Sequence, residues 1–264
     1  MNLFPLVSVL LSVYDGEETI DRCLASVIGQ TYQNIEIICV NDCSSDSTSK
    51  KLKIWLEKIG VNRLKVISNE KNLGLTRSLN ISAKHASGCY YARIDADDVW
   101  LPNKIEKQVN YLENHQDIGL VGTLYINDDG QHQRKVMLPI CSQDIKKTII
   151  SRNPFGHSCV VFRKEIFNRL GGYDEGVILG QDWDLWLRFF AVTEMVNLPE
   201  FLCHRNHGGI SINKQKQQMW QAIKTKCKYI KKYNMSPMYY LELWEPLFLI
   251  LFPEKLKLII KKCF

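Results

Sequence analysis

The sequence predicts an α/β fold, a mostly parallel sheet with helices along both flanks, and three observations carry that expectation. Short apolar runs at residues 6–12, 35–40 and 64–68 alternate with segments of helical periodicity. The first two runs are apolar on both faces, as in strands covered on both sides of a parallel sheet. Polar and acidic residues stand just beyond each run, where such sheets bind their ligands.

In chain order, the run at 6–12 is the first buried strand. A helix follows: Asp15 and Glu18 have the spacing of a capping box, Ile20, Leu24, Val27 and Ile28 form a helical stripe, and Gly29 ends it. The strand at 35–40 stops at Asn41-Asp42-Cys43-Ser44-Ser45-Asp46. A helix over 47–59 closes at Gly60, the strand at 64–68 leads into the turn Asn72-Leu73-Gly74-Leu75, and a helix over 76–87 ends at Gly88. A strand at 90–94 comes next. Pro102 starts a helix with Ile105, Val109 and Leu112 on one face, 118–126 is a strand, and Asp128-Asp129-Gly130 is a hairpin turn. Ser142 is placed as the cap of a short helix to residue 150, and 159–162 as a strand. Leu185, Arg188 and Phe189 continue a helix whose first turn holds Asp182 and Asp184, which the helix dipole favours.

The strand at 90–94 ends in Asp95-Ala96-Asp97-Asp98, three carboxylates in four positions. If extended geometry persists, Asp95 and Asp97 share a face and Asp98 faces away or sits in the turn. Two carboxylates on one face suit Mg²⁺ or Mn²⁺, which complete their shells with water and substrate phosphates. The same residues would also serve as an acidic turn that stops a strand and caps the next helix. The stretch alone leaves both open.

Composition narrows the classes. The chain has 264 residues, 45% of them hydrophobic, enough to bury a core and too apolar for disorder. Nine cysteines without a CxxC pair, several in apolar segments (Cys39, Cys89, Cys159), point to buried thiols in a reduced compartment, the cytoplasm, and not to a disulfide or zinc scaffold. Residues 3–13 lack a basic leader and contain Pro5, so they read as a strand and not as a signal peptide. The net charge of +6 is local: from His204 onward 12 Lys and Arg face 3 Asp and Glu, against 22 and 25 before it.

The loops after the strands carry the chemistry of a nucleotide site. Asp42 can accept from a pyrimidine N–H, an acid near the metal can hold ribose hydroxyls, and Arg77 can balance phosphate charge. Neither GxGxxG nor GxxxxGK[ST] is present, so phosphate binding falls to a metal and side chains. Singly, Asp42 with Ser44 would also fit an Asx turn, and Arg77 a solvated helix.

The ordered series Val9-Leu10-Leu11-Ser12-Val13-Tyr14-Asp15-Gly16-Glu17, Val40-Asn41-Asp42-Cys43-Ser44-Ser45-Asp46, Asn72-Leu73-Gly74-Leu75 and Asp95-Ala96-Asp97-Asp98 resembles the family 2 glycosyltransferases of the GT-A fold, inverting enzymes that use nucleotide-diphosphate sugars, among them bacterial O-antigen and capsule enzymes. The resemblance covers roughly the first 210 residues. It implies UDP-sugar contacts from Ser12, Tyr14, Glu17, Asp42 (uracil), Asn72, Gly74, Arg77, Asp95 (ribose) and Ala96, and metal ligation by Asp97 with Asp98. His157, in Asn153-Pro154-Phe155-Gly156-His157-Ser158, borders the acceptor in that family; a lone histidine is also commonly structural. By similarity to the family's Glu-Asp element Asp182 is the base, with Gln181 where the family often has Glu. Cys203-His204-Arg205-Asn206-His207 is similar to the Arg-x-His segment, so Arg205 would reach the diphosphate and His207 complete the metal shell. A single displacement then inverts the anomeric carbon, Asp182 taking the acceptor proton.

On this reading residues 1–212 are the transferase domain and 213–264 a basic, amphipathic helical extension. Residues 215–233 read as a basic helix, and 238–264 combine aromatic and apolar residues with lysines, a pattern for docking on the inner face of the cell membrane. That would suit a saccharide acceptor carried on a polyprenyl diphosphate. A helical cap on the core or a dimer contact would use the same residues. Among rival functions, a nucleotidyltransferase needs a Gly-rich basic loop after the first strand, where this chain is acidic. A non-catalytic membrane scaffold would leave the ordered aspartates unexplained, and no nucleic-acid module is visible.

Overall fold

β1 (Val7–Val13) is buried along its whole length and runs between β2 (Ile35–Asn41) and β4 (Tyr90–Asp95), parallel to both. The computed structural model describes residues 4–206, 215–234 and 236–243. β3 (Leu64–Ser68) extends the parallel half beyond β2, so four strands lie in the order β3-β2-β1-β4 with their carboxyl ends on one edge. The connecting helices are α1 (Ile20–Ile28), α2 (Thr48–Ile59) and α3 (Leu75–Lys84).

The second half of the sheet is mixed. β8 (Val161–Arg163) is antiparallel to β4, and β6 (Ile118–Asp128) antiparallel to β8. β9 (Glu194–Asn206) runs parallel to β6, and β5 (Val99–Trp100) closes the edge antiparallel to β9. β7 (Gln133–Val136) forms the expected hairpin with β6 around Gly130, whose φ is +84°. α4 (Lys104–Asn114), α5 (Ser142–Thr148), α6 (Lys164–Arg169), α7 (Gln181–Phe190) and α8 (Gln215–Lys232) are the remaining α-helices among the described residues.

Strand alternation divides the core into two layers. Val7, Val9, Leu11 and Val13 pack with α1, α2 and α4 on one face. Leu10, Ile38 and Tyr91 face α3, α5, α6 and α7 on the other, where Phe162, Trp186 and Phe189 interlock edge to face. Tyr229 and Ile230 of α8 are buried in this second layer, so α8 caps the core.

Several local expectations are corrected. α1 begins at Ile20 after Thr19 without a side-chain cap, so the capping box expected of Asp15 and Glu18 does not form; Asp15 is spent elsewhere, as described below. Ser142 does not cap α5; its hydroxyl donates to Glu194. α3 stops at Lys84 and not at Ser87, and α4 starts at Lys104, two residues after Pro102. Residues 157–159 form a 3-10 turn, so the short strand starts at Val161. Cys89 is exposed, whereas Cys23, Cys39, Cys159 and Cys203 are buried as free thiols. β9 and β5 were not anticipated: β9 carries Pro199 and Glu200 at irregularities in its pairing, which hide its period, and β5 has only two residues. Residues 207–214 and 244–264, which include His207 and most of the apolar tail, lie outside the described residues. Among the described residues no helix is long and apolar enough to cross a membrane.

Candidate active site

The four loops expected to gather along one edge do so, and hydrogen bonds link three of them, the β2–α2 loop being bonded to both of the others. The β1–α1 loop is tied to the β2–α2 loop by hydrogen bonds in both directions. The amides of Asp15, Gly16 and Glu17 donate to Ser44 Oγ (3.0 Å), Thr48 Oγ1 (2.9 Å) and Asp46 Oδ2 (2.9 Å). In return Asp15 Oδ1 accepts from the Ser45 amide (2.7 Å) and Glu17 Oε2 from the Ser47 amide (2.8 Å). Glu17 thus satisfies an otherwise unpaired donor at the start of α2. Tyr14 is left exposed at the mouth, 53% accessible. Asp15 (φ +46°) and Cys43 (φ +64°) take the left-handed conformation in these loops.

Asp42, 2% exposed at the end of β2, ties the next pair. Its Oδ1 accepts from Asn69 Nδ2 (2.7 Å) and the Leu73 amide (2.8 Å), and its Oδ2 from the Gly74 amide (2.8 Å). Asn72 Oδ1 also accepts from the Gly74 amide at 3.1 Å. Gly74 sits at φ +84°, a conformation that a side chain would strain. On α3, Arg77 faces Glu175, Nε to Oε2 at 3.4 Å, with half of its side chain in solvent.

At the centre, the acidic loop runs from the end of β4 to β5 on the far edge. Ser12 pairs with Asp95 across the β1–β4 register. The chain turns at once after Asp95, with the Asp98 amide donating to the Asp95 carbonyl (3.1 Å), and this turn brings Asp98 inward. Carboxylate oxygens of Asp95, Asp97 and Asp98 lie within 4.8 Å of one another. Of the two positions expected of it, Asp98 takes the one in the turn, and from there it joins the cluster. It is 2% exposed, and its Oδ1 accepts from the Asn206 amide at 2.8 Å. Ala96 lies against Gly16.

Two arginines balance the cluster. Arg93, fully buried on β4, donates to Asp95 and to Ser158 Oγ (3.2 Å). Ser158 Oγ in turn accepts from the Asp95 amide (3.0 Å) and donates to Asp95 Oδ2 (3.2 Å). Burial pushes the Asp95 carboxyl up, but the Arg93 guanidinium outweighs it and holds Asp95 well below the usual carboxylate range. Arg205 Nε stands 3.7 Å from Asp98 Oδ2, its guanidinium over the Tyr125 ring at 4.9 Å. Tyr125 pairs with Cys203, so Arg205, two positions on, lies on the same face of the neighbouring strand. Burial, then the Asp95 charge, push Asp98 up to about 7 despite Arg205, and burial followed by Asp95 also raises Asp97.

These residues fit a divalent cation. Asp98 Oδ2 is buried and has no hydrogen-bond donor, a costly state for a carboxylate unless a cation takes the lone pair. Hard oxygen donors packed this closely match Mg²⁺ or Mn²⁺.

Asp182 begins α7, after Gly180 at φ +73°. Its Oδ2 accepts from Asn153 Nδ2 at 2.8 Å, while Asn153 Oδ1 accepts from the Phe155 amide at 3.1 Å, which fixes the amide with its donor toward Asp182. Burial raises the Asp182 carboxyl above its ordinary value, and the Trp183 amide, then Arg205 and Arg93, which also act on Asp95, offset part of that rise. Gln181 is buried beside it. His157 is 6% exposed, with Nε2 2.9 Å from the Tyr173 hydroxyl, and burial keeps it neutral far below the ordinary histidine pKa. It is a satisfied interior histidine that backs the site from beneath.

Sequence reading missed Arg93, Ser158, Asn153 and Tyr125. Arg93 carried a signal, a charge in the middle of a buried strand next to an acidic end; the other three are ordinary residues whose role comes from where the sheet brings them.

The profile of glycosyl transferase family 2 matches residues 8–171. A curated relative, the amylovoran biosynthesis glycosyltransferase AmsE of Erwinia amylovora, is 35% identical over 225 residues, which cover 83% of this chain and 82% of the relative. The putative glycosyltransferase EpsE of Bacillus subtilis is 34% identical over 194 residues, 72% of this chain and 68% of its own length. Among solved structures, S. aureus TarS 1–349 in complex with UDP-GlcNAc has a TM-score of 0.73 at 17% identity, over 92% of this chain and 71% of that one. The Pyrobaculum calidifontis mannosyltransferase PcManGT, in complex with GDP-Man and Mn²⁺, has a TM-score of 0.69 at 19% identity, over 92% and 72%. The match over most of the sheet and the acidic loop, together with the identity to these relatives, makes the chain a member of glycosyltransferase family 2 with the GT-A fold, similar to bacterial polysaccharide enzymes.

Proposed function

We propose that the protein is a metal-dependent, inverting glycosyltransferase that moves a hexose or N-acetylhexosamine from a UDP-sugar to a polyprenyl-diphosphate-linked saccharide in surface polysaccharide assembly. The observation that carries this reading is the buried, donorless Oδ2 of Asp98 inside a three-carboxylate cluster at the end of the central strand. Asp97 and Asp98 would hold Mn²⁺ or Mg²⁺, which supplies positive charge to the departing diphosphate. Asp95, kept ionised by Arg93, accepts a ribose hydroxyl. Asp42 holds the 72–74 turn with three accepted hydrogen bonds, and one further lone pair on Oδ2 can take the uracil N–H.

Asp182 removes the acceptor proton. Asn153 occupies one of its oxygens and leaves the other for that hydroxyl, so the acceptor is oriented by the carboxylate that deprotonates it. The exposed Trp220 of the basic α8, with Met238, Tyr240 and Leu241 beyond that helix, supports peripheral contact with an anionic membrane face, where a lipid-linked acceptor would be presented.

Calorimetric titration of UDP into the protein, with and without Mn²⁺, tests the donor half of this reading. Binding that requires Mn²⁺ and disappears in Asp97→Asn supports it; metal-independent binding, or none, rejects it.

A further inference from the structure

The two arginines of the acidic cluster are held in different ways. Arg93 is enclosed, 0% exposed, and hydrogen-bonded to Asp95 and Ser158. Arg205 is not bonded to Asp98: its Nε and Asp98 Oδ2 face each other at 3.7 Å, both buried and both without a hydrogen-bond partner. The guanidinium rests on the face of Tyr125, which attracts a cation without fixing its direction. Such a contact supplies Coulomb attraction but little directional hold, so it is the exchangeable one of the pair.

We propose that Arg205 is the resident counterion of the acidic loop: it opposes a divalent cation that arrives alone and leaves Asp98 when a nucleoside diphosphate arrives with the cation. The inference rests on the donor-site reading above. A unit positive charge about 4 Å from the oxygen that a divalent ion must take lowers the ion's affinity, and inside a protein this repulsion is not screened away as it is in water. A diphosphate reverses the balance. It carries two or more negative charges, matches the guanidinium fork, and draws Arg205 off Asp98 while the freed oxygen turns to the metal. Metal and nucleotide then bind as a pair, each raising the affinity of the other by the same factor. Asp97, which has no arginine of its own among the described ion pairs, is where the cation enters.

The test is titration of the full chain with Mn²⁺ alone, followed by paramagnetic resonance, repeated with saturating UDP, for the wild type, Arg205→Gln and Arg205→Lys. Arg205→Gln should bind Mn²⁺ alone at least about tenfold more tightly than the wild type, and UDP should improve its Mn²⁺ affinity by a smaller factor. Arg205→Lys, which keeps the charge, should stay near the wild type for Mn²⁺ alone. If Arg205→Gln binds Mn²⁺ alone no better than the wild type while UDP still tightens Mn²⁺ in the wild type, the counterion role is wrong and the donor site stands. If the wild type binds no Mn²⁺ with or without UDP, both fall. Should Arg205→Gln be unstable, thermal midpoints decide: Mn²⁺ without nucleotide should raise its midpoint more than that of the wild type, and an equal or smaller rise counts against the proposal.

Discussion

Asp42 and Gly74, 32 residues apart, are joined by a 2.8 Å hydrogen bond from the glycine amide to the carboxylate, and Leu73 and Asn69 donate to the other oxygen. A buried carboxylate thus shapes the turn that leads into α3, and the φ of +84° at Gly74 is the conformation that presents both amides to it. Asp42→Asn would aim an NH₂ group at one or more of these donors. Leaving a buried donor unpaired costs about 1–3 kcal/mol. The midpoint of urea unfolding should fall accordingly, and UDP affinity should weaken with it; an unchanged midpoint would show that the turn holds itself.

Asp97 and Asp182 should fail differently. Asp97→Asn is expected to lose Mn²⁺-dependent UDP binding. Asp182→Asn should keep that binding and lose sugar transfer by roughly 10²–10⁴-fold, the usual contribution of a general base. Parallel calorimetry and transfer assays separate the two; loss of donor binding in Asp182→Asn would move that residue from the acceptor side to the donor side.

Asp184 ties the extension to α7. It is fully buried and accepts from Arg188 Nε (3.0 Å), Lys228 Nζ (3.0 Å) and the Tyr229 hydroxyl (2.8 Å). Removing one partner of a buried charge group costs on the order of 3–5 kcal/mol, so Asp184→Ala should unfold at markedly lower urea. A chain ending at residue 212 would leave the same carboxylate short of two donors. It should be less stable than the full chain and not an independent domain, which chemical denaturation of the two forms would measure.

His157 sets a pH dependence. Its folded pKa is depressed and its unfolded value is about 6.5, so below that pH the unfolded chain binds more protons than the folded one. Stability is therefore unaffected by this group above about pH 6.5 and falls as the pH drops below it, by at most about 1.4 kcal/mol per pH unit. His157→Gln, which can still bond the Tyr173 hydroxyl, should flatten this part of the profile between pH 6.5 and 5. An identical slope in the variant would assign the acid sensitivity to another group.

The order of strands and helices in the first half, the loops that follow the strands and the acidic strand end were all legible in the sequence, because each is written in local terms: a period, a turn residue, a charge where an apolar run stops. α7 and the basic α8 were legible for the same reason. What the sequence could not give is whatever depends on long-range pairing. β9 joins the sheet through a parallel register with β6, interrupted by bulges, and no local period marks it. That pairing carries Arg205 and the Asn206 amide to Asp98, more than 100 residues earlier in the chain, where the local turn after Asp95 has brought it inward. Asp182 gains Asn153 in the same way, from a loop 29 residues away. The sequence alone determined the fold class, the family and the set of carboxylates. Tertiary structure decided their partners, and so their charge states, because a carboxylate's burial and its nearest cation are properties of neighbours in space and not of neighbours in the chain.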